Sequence, residues 1–277
     1  MDDQREDHEK SHLGTVPPNL SAASRRPGAS VFGAFQSQFL MTGLADTVAT
    51  AAGGVLTEAP LIIDCGSGGG RLSEALLDRL PEAGLRIVLL DVDHGAVAEG
   101  VGRMRDRIVA GLCADLEVLP FRRRCGAVFM LSHVLYYTRD RETLLQRLLF
   151  ECASSWVVAV VRDRECVTAR LWRHVTGGGR RATDSVWLRD FIERDPRIEA
   201  AVVENITDAR GILTDLPEFL VDARSAPKTS AFVEATVYRS PLVDQVLYDQ
   251  AVEFFSSSSD FLIREHVYVL NSAEVLK

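Results

Sequence analysis

Short apolar runs alternate with longer amphipathic stretches between residues 61 and 161. The apolar runs predict strands, whereas the amphipathic stretches repeat their apolar positions at helical spacing. Short apolar strands separated by helices are typical of a parallel sheet covered on both faces, with right-handed crossovers. We therefore predict an α/β fold with a doubly wound, mostly parallel sheet. The strands are predicted at 60–65, 86–91, 109–113, 126–132 and 155–161, and the helices at 70–80, 94–106 and 140–152.

The two ends of the chain follow other patterns. Residues 1–29 are rich in charge, Pro, Ser and Ala and predict a disordered tail. Apolar positions from Val31 to Val48 have helical spacing and predict an amphipathic helix before the first strand. We therefore assign 30–162 to a ligand-binding core, and 163–277 to the remaining strands plus a small appended α+β region over the substrate.

The region after residue 162 mixes both kinds of element. Proline interrupts its longest helical stretch at three positions, which predicts separate helices there. The predicted elements are helices at 164–175 and 187–194, strands at 198–205 and 264–270, and helical segments within 215–256 that are broken at Pro217, Pro227 and Pro241.

A glycine-rich turn joins the first strand to the first crossover helix, where residues 61–74 read LIIDCGSGGGRLSE. Glycine permits positive φ and lacks the Cβ that would keep a ligand from the backbone. The amides at the start of the following helix favour a negatively charged group. The dinucleotide fingerprint would need a glycine at position 71, where the chain has Arg71. An NAD-dependent dehydrogenase is therefore the less favoured interpretation.

Acidic residues follow the first three predicted strands. Asp91 stands 21 positions beyond Gly70, the spacing at which an acid accepts hydrogen bonds from ribose hydroxyls in dinucleotide-binding folds. Asp64 ends the first strand and Asp115 follows the third. Each of the three could instead cap a turn or end a strand without binding a ligand.

The composition limits the classes of ligand and partner that the protein is expected to bind. The formal net charge is −8 and the pI is about 5.3, which does not favour a nucleic-acid binder. The five cysteines are odd in number and form no Cys-x-x-Cys pair, which favours reduced thiols in a cytoplasmic protein. The six histidines lack metal-ligand spacing, so we predict no metal. No apolar run is long enough to span a bilayer, so we expect a small-molecule partner and no membrane.

The glycine turn resembles the first motif of class I S-adenosylmethionine (SAM) methyltransferases. Its spacing is Asp-x-Gly-x-Gly-x-Gly from Asp64 to Gly70. The resemblance implies a Rossmann-like class I methyltransferase fold with SAM as cofactor. It also implies that Asp64 lies near the methionine end of the cofactor, that Asp91 binds the ribose and that Asp115 binds the adenine amine. The full set of implied cofactor-binding residues is Asp64, Gly66, Ser67, Gly68, Asp91, Val92, Asp115, Leu116 and Ser132.

The segment after the fourth strand resembles the histamine N-methyltransferase branch of this class. Residues 128–140 read VFMLSHVLYYTRD, and the segments 35–40 and 157–172 also resemble their counterparts, so that the likeness covers about 31–271. It implies that His133 contacts the acceptor and that Tyr136 and Tyr137 wall its pocket, and these three are the candidate catalytic residues.

Two positions depart from that branch. The acceptor-contacting position is a glutamine in the histamine enzyme and His133 here. The entry helix of that enzyme carries a glutamate near the substrate amine, whereas this chain has Gln36, Gln38 and Thr42. These departures make histamine itself doubtful as the acceptor.

Several functions therefore stay open. The leading one is a small-molecule methyltransferase that acts on an amine nitrogen. One alternative methylates an aromatic or enolisable carbon, or consumes the aminobutyryl chain of SAM in a cyclising or transfer reaction. Another is a binding protein with this fold and no turnover. His133 could accept a proton, hold the acceptor or hydrogen-bond backbone at a helix start.

Overall fold

The computed structural model describes residues 41–59, 61–118, 127–152, 156–177, 185–237 and 240–272. The predicted tail at 1–29 and residues 31–40 of the predicted entry helix lie outside these ranges. The helices are α1 Met41–Glu58, α2 Arg71–Arg79, α3 His94–Met104, α4 Arg141–Gln146, α5 Val167–Thr176, α6 Ser185–Arg194, α7 Leu216–Phe219, α8 Pro227–Val237 and α9 Gln245–Ser257. The strands are β1 Ile62–Cys65, β2 Ile87–Asp91, β3 Ala110–Cys113, β4 Val128–Ser132, β5 Val157–Arg162, β6 Ile198–Asp208 and β7 Leu262–Ser272.

The strands form one seven-stranded sheet in the order β3-β2-β1-β4-β5-β7-β6. Strands β1 to β5 are parallel, and β7 runs antiparallel between β5 and β6. Strands β1, β2, β4 and β5 are buried along nearly their whole length, as expected for parallel strands covered on both faces. This confirms the predicted doubly wound, mostly parallel sheet.

Two apolar layers enclose the sheet. One contains Leu44, Leu76, Phe232 and Phe254, so α1, α2, α8 and α9 share a face. The other contains Leu144 and Leu188, which places α4 and α6 on the opposite face. The carboxyl ends of the parallel strands are left at one edge of the sheet, and this is where ligands bind in such folds.

Three details differ from the sequence-based expectation. The helix predicted at 140–152 is α4 followed by a π-helical turn at Arg147–Glu151. Strands β6 and β7 are longer than predicted, because they pair with each other over their full length. Pro217 and Pro227 lie in the first turns of α7 and α8, where the missing N–H of proline leaves no helical hydrogen bond unmade.

The described ranges contain neither a membrane-spanning helix nor a metal-binding cluster. None of the helices there is both long enough and apolar enough to cross a bilayer. No group of three or more His, Cys, Asp or Glu side chains in the same ranges is arranged to hold a metal ion.

Candidate functional site

One face of the sheet carries a row of polar side chains at the carboxyl ends of the parallel strands. Side chains alternate between faces along a strand, so the strand register decides which residues share a face. Asp64 pairs with Leu89 and Met130, and Ser132 pairs with Val160. Side chains two residues apart along a strand lie on the same face. The following residues therefore share one face: Asp64, Asp91, Ser132 and Arg162 on the parallel strands, Glu265 on β7 opposite Arg162, and Asn205 on β6 opposite Glu265.

The glycine turn between β1 and α2 has the backbone that its sequence predicts. Gly66, Gly68 and Gly70 all have positive φ, at 69°, 50° and 69°. A Cβ on Gly66 would lie 2.2 Å from Val134 Cγ2, so this glycine lets the turn pack closely on the segment after β4. A Cβ on Gly68 would meet nothing within 4 Å. Gly68 therefore has open space beside it, into which a ligand can approach the backbone.

Asp91 holds this turn in place. The backbone N–H of Gly68 donates to Asp91 Oδ2 at 2.8 Å, and the N–H of Asp93 donates to Oδ1 at 2.9 Å. A carboxylate offers about four acceptor positions, so both oxygens can accept further hydrogen bonds. The residue predicted to bind ribose thus lies beside the open space at Gly68.

The other predicted turn residue, Ser67, is fixed through its backbone. Its N–H donates to Leu90 O at 3.0 Å, and its carbonyl accepts from Gly70 N–H at 2.8 Å. Arg103 from α3 donates to the carbonyl of Gly69 and forms an ion pair with Glu74 at 2.7 Å. Contacts from β2 and α3 therefore hold the turn before any ligand binds.

Asp64 lies beneath the turn and is buried. Ser73 Oγ donates to Asp64 Oδ2 at 2.7 Å. Burial raises the pKa of Asp64 to about 7, against the lowering effect of the Ser73 hydrogen bond, and the nearby Asp91 charge adds to the rise. Asp64 is therefore placed to support the turn and α2 from within the protein.

The remaining predicted cofactor-binding residues, Val92, Asp115 and Leu116, follow the ends of β2 and β3. Val92 is 66% exposed, whereas Leu116 is buried. The N–H of Ala114 donates to Asp91 O at 3.0 Å, which joins the ends of the two strands. Asp115 is exposed, and its Oδ1 accepts from Glu117 N–H at 2.9 Å. Asp115 therefore caps a turn, with acceptor positions remaining on its carboxylate.

His133 follows β4 in a left-handed backbone conformation, with a φ of 55°. Such a conformation is uncommon for residues other than glycine. Its Nε2 lies 2.8 Å from Glu265 Oε1, and its Nδ1 lies 3.3 Å from the hydroxyl of Tyr136. Both ring nitrogens therefore have partners within the protein, and the imidazole is 8% exposed.

These contacts belong to a buried chain of hydrogen bonds. The N–H of Arg162 donates to the Tyr136 hydroxyl at 2.6 Å, which leaves the Tyr136 O–H to donate to His133 Nδ1. His133 Nε2 then donates to Glu265 Oε1, and Asn205 Nδ2 donates to Glu265 Oε2 at 2.8 Å. This arrangement gives every contact a donor and an acceptor, with a proton on His133 Nε2.

Glu265 is ionised within this chain. Burial would raise its pKa, but the charge and hydrogen bond of His133, the hydrogen bond of Asn205 and the charge of Arg162 together lower the pKa below its usual value. The sequence analysis missed Glu265 and Asn205. The available signal was an acid inside the alternating closing strand, but its partners depend on how β7 pairs with β5 and β6.

The two tyrosines differ in their environment. Tyr136 is partly buried, and this burial raises the pKa of its hydroxyl well above the usual range. Tyr137 is 39% exposed, and its ring meets that of Tyr136 edge to face, with centroids 6.2 Å apart. Tyr137 is thus the tyrosine of the pair with surface available to a ligand.

Sequence comparison identifies a domain within the chain. Residues 63–149 match the family model described as a methyltransferase domain, a segment that runs from β1 to the π-helical turn after α4. No curated protein matches the chain in sequence.

Three solved structures illustrate which proteins share this fold. A protein described as a methyltransferase from an antibiotic biosynthesis pathway, from Anabaena variabilis, has a TM-score of 0.57 at 13% identity, over 84% of this chain and 99% of its own. Phosphoethanolamine N-methyltransferase 2 of Haemonchus contortus, in complex with SAM, has a TM-score of 0.58 at 11% identity, over 94% of this chain and 61% of its own. The [4+2]-cyclase SpnF has a TM-score of 0.54 at 14% identity, over 83% of this chain and 80% of its own.

These identities are low, so the structural likeness establishes the fold alone, and the sequence match to a methyltransferase domain covers 63–149. The matched segment contains the glycine turn, Asp91 and the residues after β4. The chain therefore has the class I methyltransferase fold, and the match of 63–149 to a methyltransferase domain supports SAM as the cofactor.

Proposed function

We propose that this protein transfers a methyl group from SAM to a small-molecule acceptor, and that the target is an amine nitrogen. The observation that carries the proposal is the pairing of Asp91 with the N–H of Gly68 beside open space. That arrangement fits a ligand with a ribose diol and a polar chain. The match of 63–149 to a methyltransferase domain supports the same reading.

The proposed cofactor site uses the residues around the glycine turn. Asp91 accepts hydrogen bonds from the ribose, since a carboxylate offers two acceptors at the separation of a diol. Val92 and Leu116 contact the adenine ring, and Asp115 accepts from its amine. The methionine end lies along the turn, with contacts from Gly66, Ser67, Gly68 and Ser132, while Asp64 supports the turn from within the protein. When bound, SAM supplies a methyl group that is already activated by the sulfonium.

The acceptor side is built from the ends of β4 and β5. Tyr137 offers an exposed ring there, while Tyr136 and His133 support the segment from below. His133 can bind or deprotonate an acceptor only if one of its two hydrogen bonds opens. We therefore assign the chain mainly a positioning role, which can supply about 7–11 kcal/mol of a reaction barrier at most. An amine acceptor must reach the site in its neutral form.

Amine methylation is favoured by two observations. The segment after β4 resembles the histamine N-methyltransferase branch, and one structural neighbour is named an N-methyltransferase. Both are likenesses in sequence or fold, so the acceptor itself has to be found by experiment.

A second candidate is an enzyme with this fold that does not transfer a methyl group. It is favoured by the engagement of both His133 nitrogens, and by the neighbour named as a [4+2]-cyclase. Product analysis separates the candidates. Methyl transfer leaves S-adenosylhomocysteine, attack on the aminobutyryl chain leaves methylthioadenosine, and a cyclase or a binding protein leaves SAM intact.

Calorimetric titration with S-adenosylhomocysteine tests the cofactor assignment. We expect micromolar binding to the intact protein and no heat with NAD. The variants Asp91→Asn and Asp91→Ala should weaken binding, whereas Asp106→Ala, which alters an exposed acid in the turn after α3, should not. Failure of the intact protein to bind S-adenosylhomocysteine would contradict the proposal.

A further inference from the structure

Arg162 ends β5 on the same face of the sheet as the candidate site. Its guanidinium lies over the ring of Tyr136, with its Cζ atom 5.5 Å from the ring centroid. The side chain is only partly buried. Among the described residues no carboxylate lies within ion-pair distance of Arg162, although Arg103, Arg107 and Arg194 all have such partners. Arg162 therefore places a positive charge at the acceptor side of the sheet without a direct counter-ion.

Two acids lie beside Arg162 in the sheet or in the sequence, and neither forms an ion pair with it, although the charge of Glu265 acts on Arg162 from a greater distance. Glu265 stands directly opposite Arg162 in the pairing of β5 with β7, but its carboxylate already contacts His133 and Asn205, each at 2.8 Å. Asp163 is the next residue in the chain, and its Oδ2 contacts His266 at 3.1 Å and Ser185 at 3.2 Å. Both carboxylates are thus held by other residues.

We propose that Arg162 binds a carboxylate of the ligand, so that the site recognises an anionic group on the acceptor. A guanidinium presents paired N–H donors in a planar fork that matches a carboxylate. The ring of Tyr136 supports the flat side of this fork, and the hydrogen bond from the Arg162 N–H to the Tyr136 hydroxyl fixes the residue that carries it. The inference rests on the proposed function, because it assigns a substrate class to the same site.

One other source could supply the same chemistry. The methionine part of SAM also ends in a carboxylate, and the carboxyl end of β4 lies beside that of β5. A carboxylate on the acceptor and the carboxylate of the cofactor would be bound by Arg162 in the same manner. The experiment therefore has one arm for each source.

The test uses the full chain and the variants Arg162→Gln and Arg162→Lys. Arg210→Gln is the matched control, because Arg210 is an exposed arginine that is paired with Asp208 and follows β6, the edge strand of the sheet. Circular dichroism checks that each variant is folded. Calorimetry then measures binding of S-adenosylhomocysteine, of methylthioadenosine, which lacks the carboxylate, and of benzoate and benzylamine with and without S-adenosylhomocysteine.

For an acceptor carboxylate we expect benzoate to bind in preference to benzylamine, and Arg162→Gln to weaken benzoate binding roughly tenfold or more. For the cofactor carboxylate, we expect Arg162→Gln to weaken the binding of S-adenosylhomocysteine by the same factor and to leave the binding of methylthioadenosine unchanged. Arg162→Lys should lose less in either arm. The inference is overturned if Arg162→Gln changes the affinity for neither benzoate nor S-adenosylhomocysteine, or if Arg210→Gln changes these affinities equally. If the intact protein fails to bind S-adenosylhomocysteine, the proposed function fails instead, and the benzoate arm still decides the role of Arg162.

Discussion

The glycine turn allows a prediction that separates stability from ligand binding. Alanine at Gly66 or Gly68 must adopt a left-handed backbone, at a cost of about 1–2 kcal/mol. At Gly66 the added Cβ would also lie 2.2 Å from Val134, and overpacking of this kind costs about 1–3 kcal/mol more. We therefore expect Gly66→Ala to lower the free energy of unfolding by about 2–5 kcal/mol, and Gly68→Ala by only about 1–2 kcal/mol.

Gly68→Ala should also weaken ligand binding. The methyl group of Gly68→Ala would occupy the open space beside Asp91, so binding of S-adenosylhomocysteine should weaken about tenfold or more, which corresponds to about 1.4 kcal/mol. Gly84→Ala is the matched control, because Gly84 has a φ of 58° and nothing within 4 Å of its added Cβ, but lies in the turn before β2.

Urea unfolding and calorimetry on the three variants make the test. Gly84→Ala should lose about the same stability as Gly68→Ala and bind S-adenosylhomocysteine like the unaltered protein. The reasoning is refuted if Gly68→Ala binds as tightly as Gly84→Ala, because the cofactor would then not approach the backbone at Gly68.

Three further predictions concern the buried polar groups. Tyr136→Phe removes the hydroxyl between Arg162 and His133, so the free energy of unfolding should fall by about 1–3 kcal/mol in urea titrations, and an unchanged value would contradict the hydrogen-bond chain. Glu265→Ala removes the carboxylate partner of His133, and the free energy of unfolding should fall by about 3–5 kcal/mol in the same urea assay. Asp64 has a raised pKa of about 7, so the folded state holds its proton while the unfolded chain releases it, and this group costs stability as the pH rises from about 4 to 7. Asp64→Asn should therefore gain stability relative to the unaltered protein between pH 5 and pH 8, by up to about 3 kcal/mol in the free energy of unfolding, and an equal difference at both pH values would show that Asp64 is ionised throughout.

The sheet could be predicted from the sequence because its parallel strands are buried on both faces. Such strands appear as short, nearly continuous apolar runs, and the acids Asp64 and Asp91 mark where two of them end. The glycine spacing likewise predicted a turn with positive φ, because glycine is the residue that adopts this conformation without a steric cost. Local signals were sufficient for this half of the site.

The acceptor side could not be predicted in the same way. Glu265 is 103 positions from Arg162, and the two meet only because β7 inserts between β5 and β6 in an antiparallel register. The left-handed backbone of His133 has no local signal either, because this conformation is uncommon at any residue other than glycine, although histidine adopts it more often than most. Which of the adjacent tyrosines is buried follows from how the segment after β4 packs, so the pair Tyr136 and Tyr137 left both possibilities open.

A crystal structure of the protein with S-adenosylhomocysteine would test the central claim most directly. The account predicts that the ribose hydroxyls lie within hydrogen-bond distance of Asp91, that the adenine contacts Val92 and Leu116, and that the thioether points towards the ends of β4 and β5. A ligand bound away from the glycine turn, or a turn left empty at saturating S-adenosylhomocysteine, would contradict it.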